Sequence, residues 1–303
     1  MRRMATTVVT TVLLSVLLAP AALASHRPSV YLSLGTSLAA GSQADAVGNT
    51  TFGSDQSYTD QLYRKVRGRF GGRLRHVKLG CAGETTDQFL GGLNAAGEPS
   101  ACAGQYRTGS QVGDALETIA SQRVAFITID IGANDVLQAQ TSCAGDPACI
   151  GAAIPVIAAK VAQVVGAIRA GGFDGPILGM NYYNPQVASA IGFYPGVAGQ
   201  QNPDVALAMS SDILARGLNG ALEQVFAAFD VEVVDVYSAF NAGDFGDDRP
   251  ANGAPDNVDR LCRLSYMCPR DGDVKSNIHL NRRGYGVVAR EFFRELRSID
   301  RAA

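Results

Sequence analysis

Ser37 follows the apolar run Val30–Leu34 and a glycine, in a stretch that reads YLSLGTSLAAG. A serine so placed either caps a helix or uses its hydroxyl to attack an electrophile. Attack near neutral pH needs a base, and histidine is the usual one. The chain holds 3 histidines. His26 lies beside a leader-like segment, and His76 sits inside a strand-like run that suits a packed or surface residue. His279, in the stretch SNIHLNRRGY, is left by elimination as the base. Acyl transfer also requires donors aimed at a developing oxyanion. The backbone N–H groups of Ser37 and Gly83 fit, because small residues permit close approach. The carboxamide of Asn134, in the stretch GAND, is a third donor, although an asparagine there equally suits an ordinary Asx turn.

These residues are far apart in sequence, so the elements between them must bring them together. Val30–Leu34, Leu74–Leu79, Val124–Ile131, Pro176–Tyr182 and Val231–Val236 read as strands. Helix-spaced apolar residues run through Tyr58–Phe70, Gln111–Ala120, Ile154–Ala170, Val205–Phe229 and Arg283–Leu296. Alternation of this kind predicts an α/β fold in three layers, with a central parallel sheet of about five strands between helices. Ligands bind such sheets outside the carboxyl ends of the strands. Gly35–Ser37, Gly80–Thr85, Gly132–Asp135 and Asn181–Pro185 all fall there, which collects Ser37, Gly83 and Asn134 at one edge.

The chain has 303 residues and a formal net charge of −2, a mild acidity that argues against a nucleic-acid partner. Arg2 and Arg3, the apolar run Val8–Leu18, and Ala22-Leu23-Ala24 read as a secretory signal cleaved after residue 24. The apolar run is short for a membrane span, so no stable insertion is expected once it is removed. Residues 25–303 then form one domain, expected to be secreted and monomeric, with no division by repeats or linkers. Six cysteines, all after the signal, suit an oxidising compartment. Proximity favours the pairs Cys81–Cys102, Cys143–Cys149 and Cys262–Cys268 among the connectivities that six cysteines allow. No C-x-x-C pair and few histidines leave no zinc cluster, and the acidic segment Asp244–Asp259 reads as a solvated loop. Neither metal nor cofactor is expected.

Taken in order, four blocks resemble those of the SGNH, or GDSL-type, hydrolase superfamily: Gly35-Thr-Ser37-Leu38, Ala82-Gly83-Glu84-Thr85, Gly132-Ala-Asn134-Asp135 and Ser276-Asn-Ile-His279. The α/β-hydrolase elbow G-x-S-x-G fits less well, since the fifth position is Ala39 and Ser37 follows the first strand. The resemblance implies a flavodoxin-like SGNH fold and a serine esterase or lipase. Ser37 is then the nucleophile, His279 the base, and Ser37 N–H, Gly83 N–H and Asn134 the oxyanion donors. Thr36 replaces the aspartate of the first block, and Ser276 replaces the aspartate that normally orients the histidine. Two substitutes for the latter stay open, the main-chain carbonyl of Ser276 and the carboxylate of Asp273. The implied substrate is a small-molecule or lipid-like acyl ester. Carbohydrate deacetylation is the alternative within the same chemistry, and a disabled hydrolase serving as an exported binding protein is the alternative outside it. The aromatic-containing stretch Gln186–Asp204 is a candidate lining for an acyl pocket or a loop packed on the surface.

Overall fold

A computed structural model of the chain describes residues 28–70, 72–247 and 253–302. The segment read as a secretory signal and His26 lie outside the described residues. Five strands form one parallel sheet: β1 (Ser29–Gly35), β2 (Leu74–Lys78), β3 (Val124–Asp130), β4 (Ile177–Met180) and β5 (Val231–Val234). Their order is β2-β1-β3-β4-β5, so the direction of winding reverses between β1 and β3. That reversal opens a crevice at the carboxyl ends of β1 and β3. β1 is buried throughout, as a strand covered on both faces by helices must be.

The long helices anticipated from the sequence are α2 (Tyr58–Val66), α4 (Gln111–Ser121), α6 (Pro147–Ala170), α7 (Val205–Ala228) and α10 (Arg282–Ala302). Helix α2 packs with α10, while α4 and α7 pack with α6, which gives the helical layers their two groups. α6 begins earlier than Ile154. The Asp146 side chain accepts from the Ala148 N–H, Pro147 occupies the first turn, and the helix continues through Pro155.

Short helices are the main departure from the sequence reading. α1 (Ser37–Ala40), α3 (Thr86–Gly91), α5 (Ala133–Ser142), α8 (Val236–Ala239) and α9 (Asp256–Leu264) complete the set. α9 corrects the reading of Asp244–Asp259 as wholly loop. Val258, Leu261 and Leu264 bury one side of a helix whose acidic residues face outward or start its first turn. After α9, Ser265–Tyr266 (β6) pairs antiparallel with Asn277–Leu280 (β7), and β7 carries His279.

Three disulfides join Cys81 to Cys102, Cys143 to Cys149 and Cys262 to Cys268, the neighbour pairing expected from spacing. The first braces the loop after β2, the second the junction of α5 and α6, and the third the segment between α9 and β7. His76 is packed, as its place in a strand suggested. Its ring stacks on Tyr31 and bonds to the Ser33 hydroxyl at 2.8 Å, and burial lowers its pKa to about 4.

Candidate active site

β1 ends in a sharp turn that sets Ser37 at the start of α1. Gly35 has φ +145°, and a Cβ there would lie 2.2 Å from Asp130 Oδ1, so the position requires glycine. The side chain of Gln111 clamps this glycine from both ends. Its Oε1 accepts Gly35 N–H at 2.6 Å, and its Nε2 donates to Gly35 O at 3.0 Å. The next residue hangs from β3, with Thr36 N–H and Thr36 Oγ1 donating to Asp130 Oδ2 at 2.9 and 2.8 Å. Tyr58 OH donates to the other carboxylate oxygen at 2.9 Å. Burial raises the Asp130 pKa to about 7 against these donors.

This network gives the threonine at position 36 a structural role. Thr36 instead donates through its hydroxyl to a carboxylate on β3, that of Asp130. An aspartate at 36 would set a second carboxylate beside Asp130, where two buried like charges repel. Ser37 itself is 9% exposed, and among the described residues its hydroxyl makes no hydrogen bond.

Asn134 lies in the first turn of α5, just beyond β3. Its Nδ2 donates one proton to Glu84 O at 2.9 Å and keeps the second for another acceptor. Its neighbour Asp135 accepts from Thr86 N–H at 3.0 Å and from Thr86 Oγ1 at 2.6 Å. The second and third blocks are therefore tied together at two points. Gly83, one residue before the Glu84 carbonyl, sits at φ +84° in an exposed left-handed turn, and it is not among the residues that line the cleft.

His279 is 5% exposed on β7, and burial lowers its pKa to about 4. The β7 backbone is held by Tyr183 OH, which donates to Ile278 O at 2.7 Å. Asn281 starts α10 by accepting Arg283 N–H and Gly284 N–H at 2.9 and 3.1 Å. The ring nitrogen Nε2 is buried without a hydrogen-bond partner, so no bond joins it to Ser37 in this state. Catalytic hydrogen bonds of this type are often long before substrate binds.

Neither residue weighed as the support for His279 takes that place. The Ser276 carbonyl accepts the N–H of Gly196 at 2.7 Å, and Asp273 is exposed on the loop before β7. The near partner of Nδ1 is instead Asn277 Oδ1, at 2.8 Å, with the Thr50 hydroxyl farther off at 3.5 Å. Asn277 was missed because the family pattern directs attention three residues before the histidine, and this donor–acceptor pair is two apart.

Ser37, Asn134 and His279 border one open cleft. Its walls come from α5, α7, β7 and the segment after β4, and include Val136, Leu137, Leu214, Leu218 and Ile278. The stretch Gln186–Asp204 contributes only Gln186. Its aromatic part folds on itself, with Tyr194 OH donating to Asn202 O at 2.7 Å and Ala198 bridging to Lys275. The pocket lining was hard to read because α5 has a weak apolar pattern and α7 divides its apolar residues between core and cleft.

Among solved structures, the chain is similar in fold to an extracellular lipase from Streptomyces rimosus. The TM-score is 0.54 and the identity 16%, over 88% of this chain and 99% of that one. A lipase, Lip_vut3, from a goat rumen metagenome gives a TM-score of 0.53 at 17% identity, over 88% and 97% of the two chains. Phospholipase A1 from Streptomyces albidoflavus NA297 gives 0.51 at 14% identity, over 88% and 99%. No curated protein sequence matches the chain. The profile of the GDSL-like lipase/acylhydrolase family, by contrast, matches residues 33–287, which runs from β1 into α10 and takes in all four sequence blocks. The chain belongs to the GDSL-like lipase/acylhydrolase family and is an ester-hydrolysing enzyme.

Proposed function

We propose that the chain is an exported serine hydrolase of apolar acyl esters. One observation carries the reading: Ser37, Asn134 and the unpartnered Nε2 of His279 border the same apolar cleft at the crossover of the sheet. In this reading His279 takes the proton of the Ser37 hydroxyl as the oxygen attacks the ester carbonyl. The oxyanion rests on the Ser37 N–H and the free Nδ2 proton of Asn134. His279 then protonates the leaving alcohol and activates water to release the acid. Export is supported by the signal-like leader, by three disulfides, and by the extracellular origin of the S. rimosus lipase. The S. albidoflavus phospholipase A1 and the two lipases support lipid-like esters over carbohydrate esters, as do the leucine and valine walls of the cleft.

A series of p-nitrophenyl esters from acetyl to dodecanoyl, beside an acetylated xylo-oligosaccharide, tests the substrate class. Each buried methylene is worth about 0.8 kcal/mol, so kcat/KM should rise about fourfold per methylene until the cleft is filled. A maximum at acetyl, with rapid release of acetate from the sugar, would replace this reading with carbohydrate deacetylation.

A further inference from the structure

The carboxamide of Asn277 faces the imidazole of His279 in only one sense. Oδ1 lies 2.8 Å from Nδ1 and also accepts the His279 backbone N–H at 2.9 Å. Nδ2 donates to Gly48 O and to Thr50 Oγ1, each at 3.0 Å. Two of these partners are backbone groups of fixed polarity. Reversing the amide would set NH2 against an N–H and oxygen against a carbonyl, so the assignment holds. An acceptor opposite Nδ1 requires that nitrogen to carry the proton. The lone pair is then on Nε2, the nitrogen that is buried without a partner beside the cleft.

The support is itself braced. Asn277 is 5% exposed. Gly48, whose carbonyl anchors it, turns at φ +87°, and a Cβ there would lie 2.2 Å from Lys275 O. Lys275 N–H returns a bond to Val47 O at 3.2 Å. The loop of residues 45–50 and the chain leading into β7 are thereby locked around this one amide.

We infer that Asn277 is a positioning residue of the ester-hydrolysing site, which holds His279 in the Nδ1–H tautomer through an uncharged acceptor. The inference rests on the Ser37–His279 reading and deepens it. An amide oxygen fixes the ring as a carboxylate does, but it supplies no charge to an imidazolium. The titratable or charged groups on the elements around His279 are Tyr183, Tyr266 on β6, Tyr285, Arg282 and Arg283 on α10, and Asp45 and Lys275 beside the bracing loop. The three tyrosines have raised pKa values, and burial is the cause that moves His279.

The base must be neutral, so kcat/KM rises with pH through the His279 pKa. In the native enzyme that acid limb is expected well below the ordinary histidine value of about 6.5. Asn277→Asp keeps an acceptor but adds a charge, and should move the limb upward by about one pH unit or more. Asn277→Ala should lower kcat about tenfold, the scale of one hydrogen bond, with KM little changed. Asp273→Asn and Ser276→Ala should match the native enzyme. ¹⁵N NMR of the native protein near pH 7 should show His279 protonated at Nδ1, a readout independent of how any variant folds. An Nε2–H tautomer, an unmoved limb in Asn277→Asp, or full kcat in Asn277→Ala overturns the positioning role. If those results accompany inactive Ser37→Ala and His279→Ala, only this inference falls; activity in either of the latter overturns the Ser37–His279 reading with it.

Discussion

Ser37→Ala is expected to lower kcat/KM toward a short acyl ester by about 10⁶-fold, the scale seen when a catalytic serine of this type is removed. Folding should hardly change. The hydroxyl makes no hydrogen bond among the described residues, and the turn that presents it is held by Gln111 and Asp130 acting on Gly35 and Thr36. Loss of one unbonded oxygen falls within about 0.5 kcal/mol, which in a domain of this size moves the melting temperature by about 1–2 °C. Activity and thermal melts on the same preparation check both halves. An inactive variant that melts far lower would make Ser37 a structural residue instead.

Asn134→Ala is expected to lower kcat by about 10²–10³-fold, the loss that follows removal of one oxyanion donor. KM should move much less, because the bond strengthens only as charge develops on the oxygen. The same substitution frees the Glu84 carbonyl, at a stability cost of about 1 kcal/mol. Asn134→Asp separates the two effects. It keeps the shape but sets a negative charge where the oxyanion forms, so its kcat should fall below that of the alanine variant. If the two variants instead rank by melting temperature alone, Asn134 serves the loop and not the reaction.

The central strands were legible because they are buried on both faces and read as largely apolar runs, as in Ile177–Met180. Long helices were legible where a clear apolar stripe faces the core, as in α10. α3 carried a readable signal in its Thr85 and Gln88 capping box, whereas α1 and α8, at four residues each, are too short for any period to show. Ser37, Asn134 and His279, which line one cleft, could be singled out as candidates because chemistry restricts which residue types can serve, and the sheet topology brings loop ends together. The supports could not be. Gln111, Asp130 and Asn277 act through bonds to residues between two and 94 positions away, and no local pattern marks such partners. Thr36 shows the difficulty well. From sequence it is a missing carboxylate, while in the fold it is the donor to a carboxylate on another strand.

Covalent labelling with a serine-directed alkyl phosphonate tests the central claim most directly, because the reagent needs the nucleophile, base and oxyanion donors together. The account predicts one phosphonyl group per chain, mapped by peptide mass spectrometry to Ser37, with activity lost in proportion to labelling. Ser37→Ala should take up none, and Asn134→Ala should be labelled more slowly. An enzyme that hydrolyses esters while Ser37 stays unmodified, or whose inactivation follows an adduct at another residue, would contradict it.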